Sequence, residues 1–344
     1  MICIEEKKRC SGCFGCANIC PTDAIDMVAD REGFWYPKVD LGKCIHCNKC
    51  EKACPYINDT VLANKEELSL CFAGYSKCNE DRAISSSGGL FITLAKSILT
   101  KKGIVYGAAF DENFMVYHKG IESIGDINEI VGSKYVQSRI AYIYRDVKKQ
   151  LMKQREVMFV GTTCQIAGLK GYLKKEYPNL LCVDFICLGI PSPQIWKDYL
   201  KTYFGEYKIL NINFKDKSKG WHNFSLRISC REKEFVKEGR RTRFFTGYFK
   251  GLYSRPSCSE CIFKKEERVS DITVADCWGS HTFASELDDN KGLSSHVIHS
   301  SKGLAAFREI QSDLKYKEIS LSEIKKYNDN YYIPKSMGKN RNAF

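Results

Sequence analysis

The spacing of hydrophobic and polar residues changes at about residue 71 of the chain. From there onward, short apolar runs alternate with amphipathic segments, which is the pattern of an α/β domain. The apolar runs predict strands over residues 104–110, 156–160 and 180–186, and within 270–279. Apolar side chains at helical spacing predict helices over residues 90–99 and 166–175. We therefore expect a cysteine-rich domain at 1–60, a polar connector at 61–70, an α/β domain at 71–324 and a surface tail at 325–344.

The composition is that of an ordinary globular protein with enough apolar residues for a core. Of 344 residues, 44% are hydrophobic and 27% are charged, which excludes a disordered or collagen-like chain. No apolar run approaches the roughly 18 residues of a membrane-spanning helix. Charged side chains occupy residues 5–9, where a signal peptide would be apolar. We therefore expect a cytoplasmic protein that does not span a membrane.

Cysteine is unusually frequent, with 18 copies, and in a reducing cytosol the spacing of these cysteines indicates metal ligation before disulfides. Two runs share the spacing C-x2-C-x2-C-x3-C-P and lie 34 residues apart. Their cysteines are Cys10, Cys13, Cys16 and Cys20, and Cys44, Cys47, Cys50 and Cys54. The C-x2-C spacing also suits zinc. The third cysteine and the terminal Cys-Pro of each run favour cubane 4Fe-4S clusters instead.

The two runs are expected to share their clusters, because the fourth cysteine of each run leaves for the neighbouring cluster. The first cysteine group, expected to hold one cluster, is Cys10, Cys13, Cys16 and Cys54. The second cysteine group is Cys20, Cys44, Cys47 and Cys50. In this pattern residues 1–60 resemble the bacterial two-cluster ferredoxins, and the resemblance implies an α+β ferredoxin-like domain that passes single electrons.

Two turns of the α/β domain place small polar residues at the start of a predicted helix. The first turn contains Ser86, Ser87, Gly88 and Gly89. Its free backbone N–H groups would suit a phosphate, although an ordinary helix N-cap explains the same residues. The second turn, Gly161–Gln165, follows a predicted strand and places backbone donors, with Thr162 among them, at the carboxyl edge of the sheet.

Four further cysteines offer enough thiolates for a third cluster. The third cysteine group is Cys164, Cys187, Cys258 and Cys261. Cys164 and Cys187 follow neighbouring predicted strands, whereas Cys258 and Cys261 share one C-x2-C loop. Spacing alone leaves open that these cysteines are small buried side chains. Cys277 is a second choice of ligand.

A longer set of motifs resembles the beta subunits of coenzyme F-420 hydrogenase and dehydrogenase. The matching segments, in chain order, are Ser86–Gly89, Gly132–Ser138, Gly161–Gln165, Cys187 and Cys258–Gly279. The resemblance implies a ferredoxin-like domain followed by an α/β flavin-binding domain. It also implies bound FAD, a third 4Fe-4S cluster on the third cysteine group, and hydride exchange with an organic acceptor such as a deazaflavin.

The resemblance extends to individual cofactor contacts. By the helix-terminus argument we expect Ser86–Gly89 on the phosphate side of FAD. The residues expected at the flavin or substrate are Lys134, Tyr135 and Gln137. A lysine there would stabilise the reduced anionic ring, and a solvated turn is the alternative. The chain departs from the family pattern at Thr163, commonly proline, and at Leu188, commonly histidine, which puts the proton route in doubt.

These features favour an iron–sulfur flavoprotein oxidoreductase that passes electrons between a redox partner, 4Fe-4S clusters, FAD and an organic acceptor. The alternative is a non-catalytic electron-transfer subunit of a hydrogenase-type or dehydrogenase-type complex. The net charge of +12 suggests a nucleic-acid protein as a third class. Residues 1–60 hold 8 basic and 9 acidic side chains, however, so the excess of positive charge lies in the rest of the chain. There it would balance the negative charge of the expected cofactors. We therefore expect no nucleic-acid partner.

Overall fold

The computed structural model describes residues 1–58 and 68–341, which form an N-terminal unit packed on a larger α/β domain. The predicted connector at 61–70 lies outside the described residues except for 68–70. None of the helices in the described ranges has the length and apolar character needed to cross a membrane.

The N-terminal unit repeats one backbone pattern twice. Its elements are α1 (Gly15–Ile19), β1 (Ile25–Ala29), β2 (Trp35–Val39) and α2 (Lys49–Lys52), with β1 and β2 antiparallel. Gly12 and Phe14 in the first cysteine run have left-handed φ angles of 65°, and so do His46 and Asn48 in the second run, at 53° and 54°. The 34-residue sequence repeat is therefore also a repeat of backbone conformation.

The α/β domain is built on an eight-stranded sheet. Its strands are β3 (Leu70–Ser76), β4 (Ile104–Phe110), β5 (Val116–Ile121), β6 (Val157–Val160), β7 (Leu180–Phe185), β11 (Ile272–Asp276), β12 (Ser294–Ile298) and β13 (Leu314–Ile319). They lie in the order β13-β3-β12-β11-β7-β6-β4-β5. The central strands β4, β6, β7 and β11 are parallel, and the outer pairings are antiparallel. The carboxyl ends of the parallel strands share one edge, where sheets of this type bind ligands.

Helices cover both faces of the sheet. They are α3 (Asn79–Ile84), α4 (Leu90–Thr100), α5 (Ile127–Ile130), α6 (Ile143–Met152), α7 (Thr163–Leu173), α8 (Pro193–Phe204), α9 (Arg243–Phe249), α10 (Ser280–Phe283), α11 (Ser301–Ile310) and α12 (Leu321–Tyr327). Val105 and Met158 pack in one core with α4 and α11, whereas their neighbours Tyr106 and Phe159 pack in a second core with α6 and α7. Successive side chains of a strand point to opposite faces, so both faces of the parallel strands are buried, which is typical of parallel sheets.

A second sheet forms a wall beside the carboxyl edge. Its strands are β8 (Ile209–Asp216), β9 (Ser225–Cys230) and β10 (Glu234–Glu238), all antiparallel. Together with α8 and α9 the sheet encloses an aromatic core around Trp196, Phe214 and Phe245. The hydrophobic pattern of the sequence did not predict this sheet.

The strand and helix predictions for the α/β domain agree with the structure to within a few residues at most. The strand predicted at 104–110 has the same bounds as β4, and the predicted helix at 90–99 is α4. The described residues of the segment predicted as a surface tail, 325–344, do not form an exposed tail. Tyr331 is fully buried, and Arg341 pairs with Glu32 of the N-terminal unit. The Lys- and Asn-rich composition suggested an exposed tail, but its spaced aromatic residues pack against the fold.

Candidate functional site

The N-terminal unit brings its cluster-spaced cysteines together in the two groups predicted from the sequence. Burial first, and then charge on Cys54, raise the pKa of the Cys13 thiol to about 12. Burial likewise raises the pKa of Cys54, and charge on Cys10 also contributes to the rise. All four members of the second cysteine group line one small void, and no member of the first group does. The fourth cysteine of each run therefore lies with the other run, as the crossed arrangement requires.

Backbone N–H groups point at sulfur atoms of the second cysteine group. The N–H of Ile2 donates to Cys50 Sγ at 3.3 Å, and the N–H of Ala24 donates to Cys20 Sγ at 3.3 Å. Such donors favour the thiolate form that binds iron.

Glycines on α7 hold the N-terminal unit against the α/β domain. A Cβ atom on Gly171 would stand 2.2 Å from the carbonyl oxygen of Ala53. Gly168 faces Cys13 in the same way, and Gly15 on α1 faces the Gly168 backbone at 3.1 Å. Only glycine allows this close approach between the first cysteine group and α7.

The third cysteine group is also brought together by the fold. Cys164 stands in the first turn of α7, and Cys187 follows β7, which is the neighbour of β6 in the sheet. Burial raises the pKa of Cys164 well above its usual value, and charges on Cys261, Cys187 and Cys258 raise it further. Burial first, and then charges on Cys187 and Cys261, raise the pKa of Cys258 to about 12. The four cysteines therefore lie near enough to influence one another's charge, and each is partly buried.

Two cations offset the cost of forming thiolates in this third group. Lys264 Nζ donates to the Cys187 carbonyl oxygen at 2.6 Å. The pKa of Cys187 is raised by burial, and Lys264 and Arg268 oppose that shift. Arg268 is itself buried and lies 3.5 Å from the Asp184 carboxylate.

Within the described residues the cysteines are not gathered around a single-ion site. Within residues 1–58 and 68–341, no three His, Cys, Asp or Glu side chains are close enough to hold one metal ion. Zinc gathers its ligands at about 2.0–2.3 Å from a single ion. A 4Fe-4S cluster instead spreads four cysteines around its iron atoms, so wider groups of cysteines are compatible with it.

The third cysteine group lies between the N-terminal unit and a large cavity. Tyr56, which follows the second cysteine run, has its pKa raised by burial and then by charges on Cys164 and Cys261. Its ring packs edge-on against Phe263, with centroids 5.6 Å apart. On the other side, Cys187 lines a cavity of about 710 Å³ at the carboxyl edge of the sheet.

The cavity contains most of the residues predicted to hold a cofactor. The cavity is lined by these residues of the predicted cofactor set: Ser86, Ser87, Gly89, Lys134, Tyr135 and Thr162. Ser86 Oγ accepts a hydrogen bond from the Ser133 N–H at 2.7 Å, which joins the serine-glycine turn to the segment carrying Lys134. Gly89 caps α4 with a left-handed φ of 95°. The first turns of α4 and α7 therefore both face the cavity.

Lys134 is a partly buried cation at the cavity wall. Its Nζ donates to the carbonyl oxygens of Val131 at 2.9 Å and Gly132 at 3.3 Å. Among the residues that the structure describes, it has no carboxylate partner. Burial lowers its pKa to about 7. A site with such a cation favours an anionic ligand, because the anion restores the lysine's charged form.

The cavity also contains a neutral histidine that the sequence did not single out. His118 Nε2 lies 3.0 Å from the Val160 carbonyl oxygen, which can only accept, so Nε2 carries the proton. Nδ1 then accepts from the Ser138 hydroxyl at 2.6 Å. Burial lowers the pKa of His118 to about 4, so the ring is neutral near pH 7. The sequence signal was weak because His118 is isolated in β5.

A buried ion pair closes another part of the cavity wall. Lys215 Nζ, which is almost fully buried, donates to Asp276 Oδ2 at 2.5 Å. Trp221 Nε1 donates to the other carboxylate oxygen at 3.3 Å, and the Trp221 and Trp278 rings stack 4.9 Å apart. Asp276 and Trp278 belong to the strand-and-turn motif noted in the sequence, but its lysine partner comes from β8.

Three of the residues considered from the sequence lie away from the cavity lining. Gly88 donates its N–H to Ser294 Oγ at 2.9 Å behind the serine-glycine turn. Gln137 is directed at the N-terminal unit, where its amide donates to the Ser11 carbonyl oxygen at 3.3 Å. Cys277 is buried in an apolar core with Cys71, apart from the third cysteine group. Neither the spacing of residues nor the order of motifs could reveal which way these three residues face.

Comparisons with known proteins agree with the two-part architecture. Residues 154–324 match the family described as the C terminus of the coenzyme F420 hydrogenase/dehydrogenase beta subunit. Residues 9–58 match the 4Fe-4S dicluster domain.

Curated relatives match a short part of the chain. An uncharacterized polyferredoxin-like protein of Methanocaldococcus jannaschii is 41% identical over 64 residues, covering 15% of this chain and 34% of the relative. One component of the Na(+)-translocating ferredoxin:NAD(+) oxidoreductase complex of Acetobacterium woodii is 40% identical over 72 residues, covering 20% of each protein. The chain therefore spans less than half of the length of these relatives.

A solved structure shares the overall fold. A chain of the F420-reducing [NiFe] hydrogenase complex from Methanosarcina barkeri aligns with a TM-score of 0.54 at 14% identity, over 78% of this chain and 91% of that chain. At this identity the likeness concerns the fold alone. Through residues 154–324 the chain belongs to the family of coenzyme F420 hydrogenase/dehydrogenase beta subunits, and it carries a 4Fe-4S dicluster domain ahead of that region.

Proposed function

We propose that the protein is an iron–sulfur flavoprotein oxidoreductase that exchanges electrons between a redox partner and an organic acceptor through 4Fe-4S clusters and FAD. One observation carries the proposal. The third cysteine group lies between the N-terminal unit and the cavity, next to Tyr56 on one side and with Cys187 in the cavity wall on the other.

The three cysteine groups would each hold one cluster. The first and second groups have the crossed arrangement of a dicluster domain, and the third group combines four partly buried cysteines with the cations Lys264 and Arg268. Tyr144, whose hydroxyl donates to the Gln165 carbonyl oxygen at 2.7 Å on α7, lies near both the first and the third groups, since charges on Cys13 and Cys164 raise its pKa after burial. This order supports stepwise movement of single electrons from the N-terminal unit toward the cavity.

The cavity fits FAD in volume, charge and backbone chemistry. Ligand cavities of cofactor size measure about 300–1,000 Å³, and this one measures about 710 Å³. The serine-glycine turn with the first turn of α4 would bind the diphosphate, and Lys134 would supply a positive charge without a competing carboxylate. When bound, FAD would supply the two-electron store that joins single electrons to hydride chemistry.

The protein's own groups would bind and orient the reactants. His118 stays neutral and fixed by Ser138 and Val160, so it would position ligands as a polar wall rather than as a cation. Tyr135 packs edge-on against Phe245 and Tyr248, which fixes its ring in the cavity wall. The acceptor would enter the remaining space, and a deazaflavin coenzyme is the acceptor class that the family name suggests.

A second candidate is an electron-transfer subunit of a hydrogenase-type or dehydrogenase-type complex that has no acceptor site of its own. The likeness in fold to a chain of a multi-subunit hydrogenase complex favours it. The two candidates differ in one property, because only the flavoprotein binds FAD in the cavity.

Iron and flavin content after anaerobic reconstitution would test the proposal. Three clusters require about twelve iron atoms per chain, and we expect one FAD bound in addition. A protein that holds the iron but shows no affinity for FAD would contradict the flavoprotein and leave the electron-transfer subunit. About eight iron atoms would contradict the third cluster.

A further inference from the structure

The Arg255 side chain reaches from the α/β domain into the loop of the first cysteine group. Its Nε donates to the Cys10 carbonyl oxygen at 2.8 Å, and one Nη2 hydrogen bond reaches the Trp35 carbonyl oxygen at 2.9 Å. Nη2 also lies 3.7 Å from Cys10 Sγ, within hydrogen-bonding distance for sulfur. The remaining nitrogen, Nη1, donates to Gln137 Oε1 at 3.1 Å. The guanidinium is therefore held in one orientation against a cluster ligand.

This guanidinium is buried without a carboxylate partner. Arg255 is 1% exposed, and it forms no ion pair among residues 1–58 and 68–341. The nearby acids on the hairpin of the N-terminal unit have their own partners, since Asp30 pairs with Lys7 and Glu32 pairs with Arg341. Aromatic rings also surround the guanidinium. The ring centroids of Tyr36 and Phe34 lie 4.3 and 5.4 Å from the guanidinium carbon.

A buried cation of this kind needs a nearby negative charge. The group in contact with it that can carry such a charge is the Cys10 sulfur, as a thiolate of the first cluster. Gln137 completes the arrangement, because its amide bridges Arg255 and the Ser11 carbonyl oxygen in the same loop. This accounts for Gln137 being directed away from the cavity.

The backbone of Arg255 belongs to the third cysteine group. Its N–H donates to the Ile190 carbonyl oxygen at 2.8 Å, and its carbonyl oxygen accepts from the Cys258 N–H at 2.9 Å. The Ile190 N–H in turn lies 3.4 Å from Cys258 Sγ. One residue therefore spans two cysteine groups, with its backbone at the third and its positive charge at the first.

We propose that Arg255, oriented by Gln137, is a positioning residue that raises the reduction potential of the first cluster, so that this cluster accepts an electron from a redox partner more readily. Net charge and hydrogen bonds to sulfur are established controls of cluster potential. Reduction adds negative charge to the cluster, so a fixed cation at Cys10 favours the reduced form. The proposal rests on the first cluster of the proposed function, but not on FAD.

The test is a potential-controlled titration of the reconstituted full-length protein, followed by electron paramagnetic resonance of the reduced clusters. In Arg255→Met we expect one midpoint to fall, with the reduced-to-oxidised ratio at the wild-type midpoint at least tenfold lower. A tenfold change equals about 59 mV for one electron. The other midpoints should keep their values. Gln137→Glu is a nearly isosteric second variant that leaves Arg255 in place but neutralises it, and it should shift the same midpoint downward.

Arg145→Met is the matched control. Arg145 also reaches into the N-terminal unit, where it donates to the carbonyl oxygens of Asn18 and Cys20 at 3.0 and 3.2 Å, but its charge is paired with Asp23. We expect its loss to leave the first-cluster midpoint unchanged. Equal shifts in the Arg145 and Arg255 variants would assign the effect to docking and overturn the proposal. Unchanged midpoints in iron-replete Gln137→Glu would overturn it even if Arg255→Met fails to fold, and missing FAD would affect neither outcome.

Discussion

The side chain of Cys13 lies directly against the backbone of Gly168, so that a Cβ atom on Gly168 would stand 2.8 Å from Cys13 Sγ. This relationship fixes the first cysteine group on α7, the helix whose first turn carries Cys164. The two expected clusters are thereby held on one short helix, where Gly168 follows Cys164 by four residues, about one helical turn.

Gly168→Ala should separate the N-terminal unit from α7. Alanine in a helix is favoured over glycine by about 1 kcal/mol, so a purely local effect would stabilise the protein. We expect instead a loss of about 1–3 kcal/mol, the usual cost of overpacking, together with loss of iron from the first cluster. Denaturant unfolding and iron analysis measure both effects. Gly125→Ala is the control, since the nearest atom to its Cβ would be Ser123 Oγ at 3.5 Å, and a Gly168→Ala protein as stable as this control would contradict the close contact.

Lys134→Met should weaken FAD binding. The change removes the cation beside the serine-glycine turn, and hydrogen bonds to charged groups contribute about 1.5–3 kcal/mol. We therefore expect a rise in Kd of about tenfold or more, measured by quenching of flavin fluorescence. Lys119→Met, which removes a lysine already paired with Glu129, should leave the Kd unchanged. Equal affinities in the two variants would mean that the diphosphate binds elsewhere.

The affinity for FAD should depend on pH through Lys134. Burial lowers the pKa of this lysine to about 7 in the absence of ligand, and a bound anion raises it again. FAD binding is therefore strongest below about pH 7, the pKa of Lys134 in the absence of ligand. Above pH 7 binding must take up a proton, so Kd rises by up to about tenfold per pH unit until the pKa of the complex is reached. Titrations between about pH 6 and about pH 9 should show this slope in the wild type and lose it in Lys134→Met. A flat wild-type profile would contradict the assignment.

Cys261→Ala should remove one cluster. It deletes a member of the third cysteine group, so we expect about four of about twelve iron atoms per chain to be lost. Cys277→Ala is the control, because Cys277 is buried in a separate apolar core, and it should keep all of the iron. Loss of iron in the second variant and not in the first would make Cys277 the ligand.

The sequence predicted the grouping of the cysteines better than the lining of the cavity. Ligand spacing is a local property, so the crossed grouping of Cys54 and Cys20 could be read from two runs of residues. The prediction of strands also succeeded, because buried parallel strands such as β4 are continuous apolar runs.

Side-chain direction across long sequence separations was not predictable. Gln137 and Lys134 share one short segment, yet one faces the N-terminal unit and the other the cavity. Lys215 joins the cavity wall only because β8 folds beside β11, and Arg255 reaches Cys10 across 245 residues of sequence. These contacts depend on tertiary packing, for which neither periodicity nor motif order carries a signal.

The central claim is that the clusters deliver electrons to a flavin in the cavity, and one kinetic measurement tests it most directly. FAD-loaded protein is mixed anaerobically with a reduced ferredoxin, which is too large to enter the cavity, and bleaching of the flavin absorbance is followed. We predict that the wild type and Cys277→Ala bleach at equal rates and that Cys261→Ala bleaches at least about tenfold more slowly, a barrier difference of about 1.4 kcal/mol. Equal rates in Cys261→Ala and the wild type would contradict a path through the third cluster.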